Sequence, residues 1–143
     1  MKENKFTRII AVLLCSIMFC CTSAYAAETR ASERIDRSSV TLLKKTNGDL
    51  SISFSIRATG KMDVIGASSV KIQRNTLTGW VTEYTFTPAN SAGIQTTDKV
   101  QHSATLTYSP AFTGKEYRVI AMIYVEDTSG MSTKELTSRV VTA

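Results

Sequence analysis

The chain has 143 residues and a formal net charge of +5 at pH 7, from 17 basic and 12 acidic residues. So mild an excess of positive charge does not indicate nucleic-acid binding, which usually shows as a strongly basic patch. The three cysteines, Cys15, Cys20 and Cys21, all lie near the N-terminus. A chain that begins after them has no disulfide, no thiol nucleophile and no thiolate metal ligand.

The N-terminus has the three parts of a secretory signal peptide. A positive region with Lys2, Lys5 and Arg8 precedes an apolar run over 9–21, and small residues then place a cleavage site between Ala26 and Ala27. The apolar run is shorter than the roughly 20 residues that a transmembrane helix needs. We therefore predict that 1–26 is removed and that a secreted, extracellular chain without a membrane span remains. Its net charge is +3, since 17 − 3 basic and 12 − 1 acidic residues are left.

The first part of the mature chain, 27–37, mixes acidic and basic residues in equal number. Such a balanced run is typical of a solvated polar arm. Residues 38–143 show alternation with a period of two, which is typical of strands, and no convincing helical period. We predict one domain over 38–143.

The first two strands are predicted as a hairpin over 38–45 and 49–58. Apolar and polar residues alternate from Leu50 to Arg57, the pattern of a half-buried strand. Asn47-Gly48 lies between the two strands and tolerates positive φ at both turn positions.

Three further strands follow, separated by turns. The third strand is predicted from the alternating apolar residues Val70 and Ile72, and the fifth from Ala104, Leu106 and Tyr108. In the fourth strand, one face is predicted to carry Trp80, Tyr84 and Phe86. Pro88 ends the fourth strand, because proline cannot donate to a ladder. Residues 87–99 lack alternation and are predicted to be a long loop.

The sixth strand, within 114–127, is apolar on both faces. Tyr117, Val119, Ala121, Ile123 and Val125 form one set, and Ile120, Met122 and Tyr124 form the other. We expect the first set to face the core and the second to point outward from a central strand. A seventh strand over 131–142 completes an all-β, seven-stranded antiparallel β-sandwich.

The last two strands resemble the final hairpin of fibronectin type III and related immunoglobulin-like domains. The resemblance lies in Gly114, Tyr117 and the inward residues after it. It implies that Tyr117 is a corner tyrosine whose hydroxyl bonds back to the preceding loop. Trp80 departs from the pattern, because fibronectin modules carry their tryptophan on the second strand.

A second resemblance covers nearly the whole mature chain. The segments "SISFS", "ATGKMDVIGA" and "VKIQ" within 48–74, together with the signal peptide, are similar to a family of small secreted bacterial proteins, domain of unknown function 6147. This resemblance implies an exported single-domain β protein, and it supplies no catalytic residue.

Nucleophilic and metal chemistry find little support in the motifs. Ser68 and Lys71 match an S-x-x-K pattern that works on a helix turn, whereas the alternation here predicts a strand. His102 is the only histidine, and we expect it to be exposed at a strand edge. We predict no metal and no cofactor.

Carboxylates are the remaining candidates for catalysis, since a pair of them can hydrolyse a glycoside. The candidates are Asp63, Asp98, Glu116, Glu126 and Asp127. A small hydrolase with a carboxylate site in the 87–99 loop is therefore an alternative function.

The preferred hypothesis is a non-catalytic binding or adhesion module. Its surface is the outer face of the sheet that holds the third, fourth and sixth strands, with Lys71, Gln73, Val81, Arg118, Ile120, Met122 and Tyr124 as binding residues. Met, Tyr and Arg are enriched at interfaces. The expected partner is a protein or glycan at the cell envelope or a host surface, with self-association as a further possibility and nucleic acid excluded.

Overall fold

The computed structural model describes residues 34–109 and 111–143, and within them every regular element is a strand. The strands are β1 (Ile35–Lys44), β2 (Leu50–Thr76), β3 (Gly79–Phe86), β4 (Gln95–Tyr108), β5 (Glu116–Asp127), β6 (Gly130–Thr137) and β7 (Val141–Thr142). All pairings are antiparallel. The predicted all-β fold with seven antiparallel strands is confirmed. The signal peptide, its cleavage site and residues 27–33 of the polar arm lie outside the described residues.

The long strand β2 organises the sheet, because four other strands pair with it. Its first half pairs with β1 on one edge and β4 on the other. Its second half pairs with β5 and β3. β6 and β7 then pair with the far edge of β5. The two halves of β2 are thus central strands of two sets of strands, β1–β2–β4 and β3–β2–β5–β6.

β2 cannot be straight in so small a protein. Its 27 residues would extend about 90 Å at ~3.3 Å each, whereas a domain of about 100 residues has a radius of gyration near 13 Å. The pairing register shifts between Arg57 and Met62, and again between Ala67 and Ser69. Such irregularities bend a strand and increase its twist. The bend lets both halves of β2 face a common interior in a sandwich-like fold.

That interior is a single apolar core. The first half of β2 contributes residues at every second position, from Leu50 to Ala58, and all are nearly inaccessible. Met62 is still buried in the same phase, after which the buried positions become Ile65 and Ala67, and then Val70 and Ile72. The change of phase between Ala67 and Val70 coincides with the bulge at Ser68, because an extra residue turns the following side chains to the other face.

The hairpin between β1 and β2 is confirmed, but its turn differs from the prediction. Only Gly48 adopts a positive φ, of 87°. The Gly48 N–H donates to the Lys45 carbonyl at 3.1 Å, and the Asn47 side chain bonds to Asp49 through both its amide nitrogen and its oxygen. This is a three-residue loop that ends in a glycine bulge, a common hairpin connection. Asn47 therefore stabilises the turn through its side chain rather than through a left-handed backbone.

Other boundaries also differ from the sequence prediction. The predicted second and third strands are one strand, β2. β1 begins at Ile35, so the last three residues of the predicted arm belong to the sheet. The predicted loop 87–99 ends at 94, because Gln95 begins β4.

The predicted seventh strand is divided at Ser138 into β6 and β7. There the Ser138 Oγ accepts from the Val119 N–H at 2.9 Å and donates to the Arg139 carbonyl at 2.8 Å. The serine side chain thus takes the place of a ladder contact where the strand is interrupted.

No helix within residues 34–109 and 111–143 has the length and apolar character needed to cross a membrane.

Candidate functional site

The strand β5 buries one of its two apolar faces completely, as predicted. Tyr117, Val119, Ala121, Ile123 and Val125 are each 0 % exposed. Ile120, Met122 and Tyr124 lie on the opposite, outer face and are half-buried. β5 is also a central strand, with β2 on one edge and β6 on the other. The side chains that surround the second face of β5 therefore come from β2 and β6.

Cross-strand pairing identifies those neighbours, because directly opposed residues in an antiparallel pair share a face. Ile120 lies opposite Lys71 on β2 and Thr137 on β6. Met122 lies between Ser69 and Glu135. Each apolar side chain is thus flanked by polar or long side chains that shield part of it. The face is a polar surface with an apolar centre.

One end of this face is an ordered polar cluster. The Arg118 guanidinium lies over the Trp80 ring, 4.4 Å from its centroid. The Arg118 Nε donates to Gln73 Oε1 at 2.9 Å, and Gln73 Nε2 donates to Thr82 Oγ1 at 3.1 Å. A cation over an aromatic ring contributes about 0.5–1 kcal/mol at an exposed site. These contacts link β3, β2 and β5 across the outer surface and hold the planar Trp80 and Arg118 groups in one stack.

The structure corrects the place of Val81 and of Trp80. Val81 lies opposite Arg74, which in turn lies opposite the buried Tyr117, so Val81 belongs to the other side of the sheet. Trp80 lies opposite Asn75 on the outer face, not on the face of Tyr84 and Phe86 as predicted.

The physical reason for both corrections is an extra residue in β3. The register passes from Ile72↔Tyr84 to Gln73↔Thr82, which leaves Glu83 without a partner position. This bulge inverts the alternation between the two ends of β3. Glu83 accepts from Arg74 Nε at 2.6 Å, and this ion pair occupies the irregular position.

We define the outer patch as Lys71, Gln73, Trp80, Arg118, Ile120, Met122 and Tyr124. Met131 extends it, because it lies opposite Glu126 and is 65 % exposed. Sequence reasoning missed Trp80 and Met131. Only the strand register places them beside the predicted residues, and the bulge in β3 has no signature in the apolar pattern.

The other end of the outer patch carries a tyrosine–carboxylate pair. The Tyr124 hydroxyl donates to Glu126 Oε2, two positions along the same strand face. This hydrogen bond raises the pKa of Tyr124, because it stabilises the protonated phenol. The Tyr124 ring is therefore fixed in orientation, with its hydroxyl already engaged.

Ser68, Lys71 and His102, which found little support as catalytic residues in the sequence, all lie on strands. Ser68 is the extra residue of the β2 bulge, and its Oγ donates to the Met122 carbonyl at 3.3 Å. Lys71 lies on the outer face opposite Ile120. His102 is half-buried rather than exposed, in contrast to the prediction. Its Nε2 lies 2.8 Å from the Gly93 carbonyl, and its ring contacts Phe54 edge-on at 5.9 Å.

The candidate carboxylates are distributed over the molecule. Asp63 and Asp98 lie between the paired positions Met62↔Lys99 and Val64↔Thr97. Both are exposed, and Asp98 forms an ion pair with Lys61 at 3.1 Å. The loop segment 87–94 itself holds no acidic residue.

The remaining carboxylates each have a structural partner. Glu116 accepts from Asn75 Nδ2 at 2.8 Å. Asp127 accepts from the Ser129 N–H at 2.7 Å and from Arg34 Nε at 3.0 Å. Among the described residues, no three His, Cys, Asp or Glu side chains come together as a metal site would require.

Comparison with known proteins assigns no family to the chain. Neither a protein family nor a curated protein matches it. Among the solved structures that match is the solution structure of a protein described as late embryogenesis abundant (LEA). It has a TM-score of 0.47 and 10% sequence identity, over 97% of this chain and 88% of that one. A likeness at this level assigns no function.

Proposed function

We propose that this protein is a secreted, non-catalytic binding module and that the outer patch is its contact surface. The observation that carries the proposal is the combination on one sheet face of the Arg118–Trp80 stack with Ile120, Met122 and Tyr124. Aromatic residues, methionine and arginine are the types enriched where proteins contact partners.

The order of the side chains also supports the proposal. Trp80, Arg118 and Gln73 are connected by contacts within the sheet, and Tyr124 is tied to Glu126. Side chains that are already fixed lose less conformational entropy when a partner binds. The patch thus offers preorganised aromatic groups around a small apolar centre, which suits a protein or glycan partner, including a second copy of this chain.

Export supports an extracellular partner. The N-terminal sequence has the features of a secretory signal peptide, with cleavage between Ala26 and Ala27. The proposed site of action is the cell envelope or a neighbouring surface.

Replacing Met122 and Tyr124 together by serine tests the proposal. We expect the variant to lose retention on purified bacterial cell wall or on mucin, and to lose any self-association that the wild type shows in size-exclusion chromatography with light scattering. The loss follows because a partner would complete the burial of these half-buried side chains, which contributes at most about 1.5–3 kcal/mol for each.

The matched control replaces Leu77 and Val140 by serine, since both are exposed apolar residues outside the patch. Circular dichroism would establish that both variants fold. If the variant of Met122 and Tyr124 binds and associates like the wild type, the outer patch is not the contact surface.

A further inference from the structure

The other half of the molecule has a surface of different chemistry, on the outer face of β1–β2–β4. Its directly opposed residues form three rows that are rich in hydroxyl groups. The rows are Ser39–Ser55–Ser103, Thr41–Ser53–Thr105 and Leu43–Ser51–Thr107. We call their eight serine and threonine residues the hydroxyl face. Neighbouring strands lie about 4.8 Å apart, and successive side chains on one face of a strand lie ~6.7 Å apart. The hydroxyl groups are therefore spread as a regular polar array.

A row of cations borders the hydroxyl face at one end. Arg37 on β1 lies directly opposite Arg57 on β2, and Gln101 on β4 lies opposite Arg57 on its other side. Like charges in directly opposed positions destabilise a sheet. Arg57 has a long, exposed ion pair with Asp36, at 3.7 Å. Within residues 34–109 and 111–143, no carboxylate lies in ion-pair distance of Arg37.

The two arginines line a surface depression of about 610 Å³. Lys134 from β6 lines it as well, together with Ser39, Ser55 and Gln101. Three cations against the single carboxylate of Asp36 leave a local charge of 3 − 1 = +2. The depression is therefore lined mainly by groups that donate hydrogen bonds.

The facing pair Arg37 and Arg57 is the feature of this depression that an anionic ligand would stabilise, because a negative group between two like charges offsets their repulsion. Ser38 also lines the depression, but it lies opposite the buried Ile56, so its unpartnered hydroxyl faces the interior and takes no part in the contact.

We propose that this depression and the adjoining hydroxyl face bind an acidic glycan. Arg37 and Arg57 hold a carboxylate or sulfate substituent through charge-assisted hydrogen bonds, for which the guanidinium group is well shaped. The hydroxyl face then meets the uncharged sugar units on either side of that substituent.

The distribution of charge favours a glycan over a nucleic acid. A nucleic acid carries a phosphate on every nucleotide, and its binding requires cations along the whole contact. Here Arg37 and Arg57 lie at one end of the face and Lys45, which donates to Thr107, lies at the other, while the three rows between them contain no charged residue. A ligand with sparse negative charge and many hydroxyl groups matches that distribution. This site uses the first half of β2 with β1 and β4, whereas the outer patch uses the second half of β2 with β3 and β5. The inference does not depend on the proposed function.

The test measures binding of labelled oligosaccharides to the purified protein by fluorescence polarisation. Hyaluronan fragments carry carboxylates only, and keratan sulfate fragments carry sulfates only, so the two probes identify the anionic group. Two further probes are dextran, which is an uncharged glycan, and polyphosphate, which is an anion without sugar units. We expect salt-sensitive binding of at least one acidic glycan and none of dextran.

The double variant Arg37→Gln/Arg57→Gln is expected to bind the acidic glycan about tenfold more weakly or worse, which corresponds to ~1.4 kcal/mol. The matched control Lys115→Gln/Arg139→Gln removes the same charge from exposed positions outside the depression and is expected to keep wild-type affinity. Equal losses in the two variants would show attraction to net charge only and would overturn the proposal.

The variant Ser39→Ala/Thr41→Ala separates a glycan from a simple anion. Both residues are exposed on β1, and their loss is expected to weaken glycan binding severalfold while the salt dependence stays unchanged. Wild-type affinity in this variant, binding of polyphosphate alone, or no binding of either acidic glycan would each overturn the proposal.

Discussion

Tyr117 shows at the scale of one residue how a sequence motif becomes a contact. The ring is fully buried, and the hydroxyl accepts from the Phe112 N–H at 2.9 Å. The resemblance to immunoglobulin-like domains implied this bond back to the preceding loop, and the structure confirms the contact. The bond satisfies a backbone donor in the connection between β4 and β5, so one side chain fixes both a core position and a loop.

Replacing Tyr117 by phenylalanine should lower the free energy of unfolding by about 1–3 kcal/mol, because the Phe112 N–H then lacks its acceptor. Urea denaturation at neutral pH measures the change. Tyr84→Phe is the control, since Tyr84 is 42% exposed, and it should have little effect. Equal stability of the Tyr117 variant and the wild type would mean that water replaces the hydroxyl without cost.

Asp127 connects the start of the described chain to the turn between β5 and β6. The Ser129 N–H and the Arg34 guanidinium both donate to its carboxylate, at 2.7 Å and 3.0 Å. The Ser129 backbone hydrogen bond and then Arg34 hold the pKa of the Asp127 carboxyl below its usual value, although partial burial opposes them.

Because folding lowers the pKa of Asp127, the ionised carboxylate stabilises the folded state and its protonation destabilises it. The contribution of Asp127 is present above the unfolded-state pKa, about 3.9, and is lost as the pH falls through the lower folded-state pKa. The variant Asp127→Asn should therefore be less stable than the wild type at neutral pH, and the difference should shrink in acid. Thermal unfolding across this range measures it, with the exposed Asp63→Asn as control. A difference that stays constant with pH would contradict the assignment.

At the scale of the element, β2 decides the architecture. Its alternation changes phase twice between Met62 and Val70, and a search for continuous alternation therefore finds two short strands instead of one. The polar and glycine-containing stretch around 59–64 adds to that impression. The backbone continues as a strand because β4 and β5 supply hydrogen-bond partners along this stretch, and those partners are distant in sequence.

Gly66 marks the closest approach of β2 to the end of the loop before β4. The Ala67 N–H donates to the Ile94 carbonyl at 3.0 Å. A Cβ on Gly66 would lie 2.6 Å from the Gln95 Cα and closer still to the Ile94 carbonyl oxygen. Both are backbone atoms, so they cannot yield without moving the strand.

Gly66→Ala should consequently lower the free energy of unfolding by about 1–3 kcal/mol or more, the usual range for overpacking. Gly60→Ala is a matched control in the same strand, because nothing lies within 4 Å of the added Cβ. Chemical denaturation of the two variants makes the comparison. Similar stabilities would show that β4 can move away from β2 at little cost.

At the scale of the whole molecule, the two halves share one core and one central strand. Buried residues of β1 and of the first half of β2 belong to the same apolar cluster as those of β5. Neither half has a separate interior. We infer that the described domain unfolds as a single cooperative unit.

The single tryptophan provides the test, since Trp80 reports on β3–β2–β5–β6 alone. Ile52 is fully buried in the other half, and Ile52→Ala should cost about 2–5 kcal/mol. If unfolding is cooperative, the Trp80 fluorescence transition moves to lower urea concentration in this variant. Leu43→Ala, exposed on the same half, should leave the transition unchanged. An unshifted transition in the Ile52 variant would show that the halves unfold independently.

The candidate surface was only partly predictable from sequence. The outward direction of Ile120, Met122 and Tyr124 followed from alternation along β5, because that strand is regular. The position of Trp80 on this face, and of Val81 on the opposite face, could not be predicted from alternation, because the bulge at Glu83 inverts the face within a single strand. The array of hydroxyl groups was hidden for another reason. Its residues come from three strands, and each row spans 64 positions in the sequence, as from Ser39 to Ser103 (103 − 39 = 64), so only pairing brings them onto one face.

The amino-acid sequence alone determined that the chain is all-β, where the β1–β2 turn lies, and which face of β5 is buried. These properties depend on neighbouring residues, through turn chemistry and the two-residue period of a strand. The tertiary structure decided that β2 is a single bent strand, where bulges invert a face, and which distant residues meet across the sheet. These properties depend on register between strands, and register is settled by long-range hydrogen bonds and by the packing of one shared core.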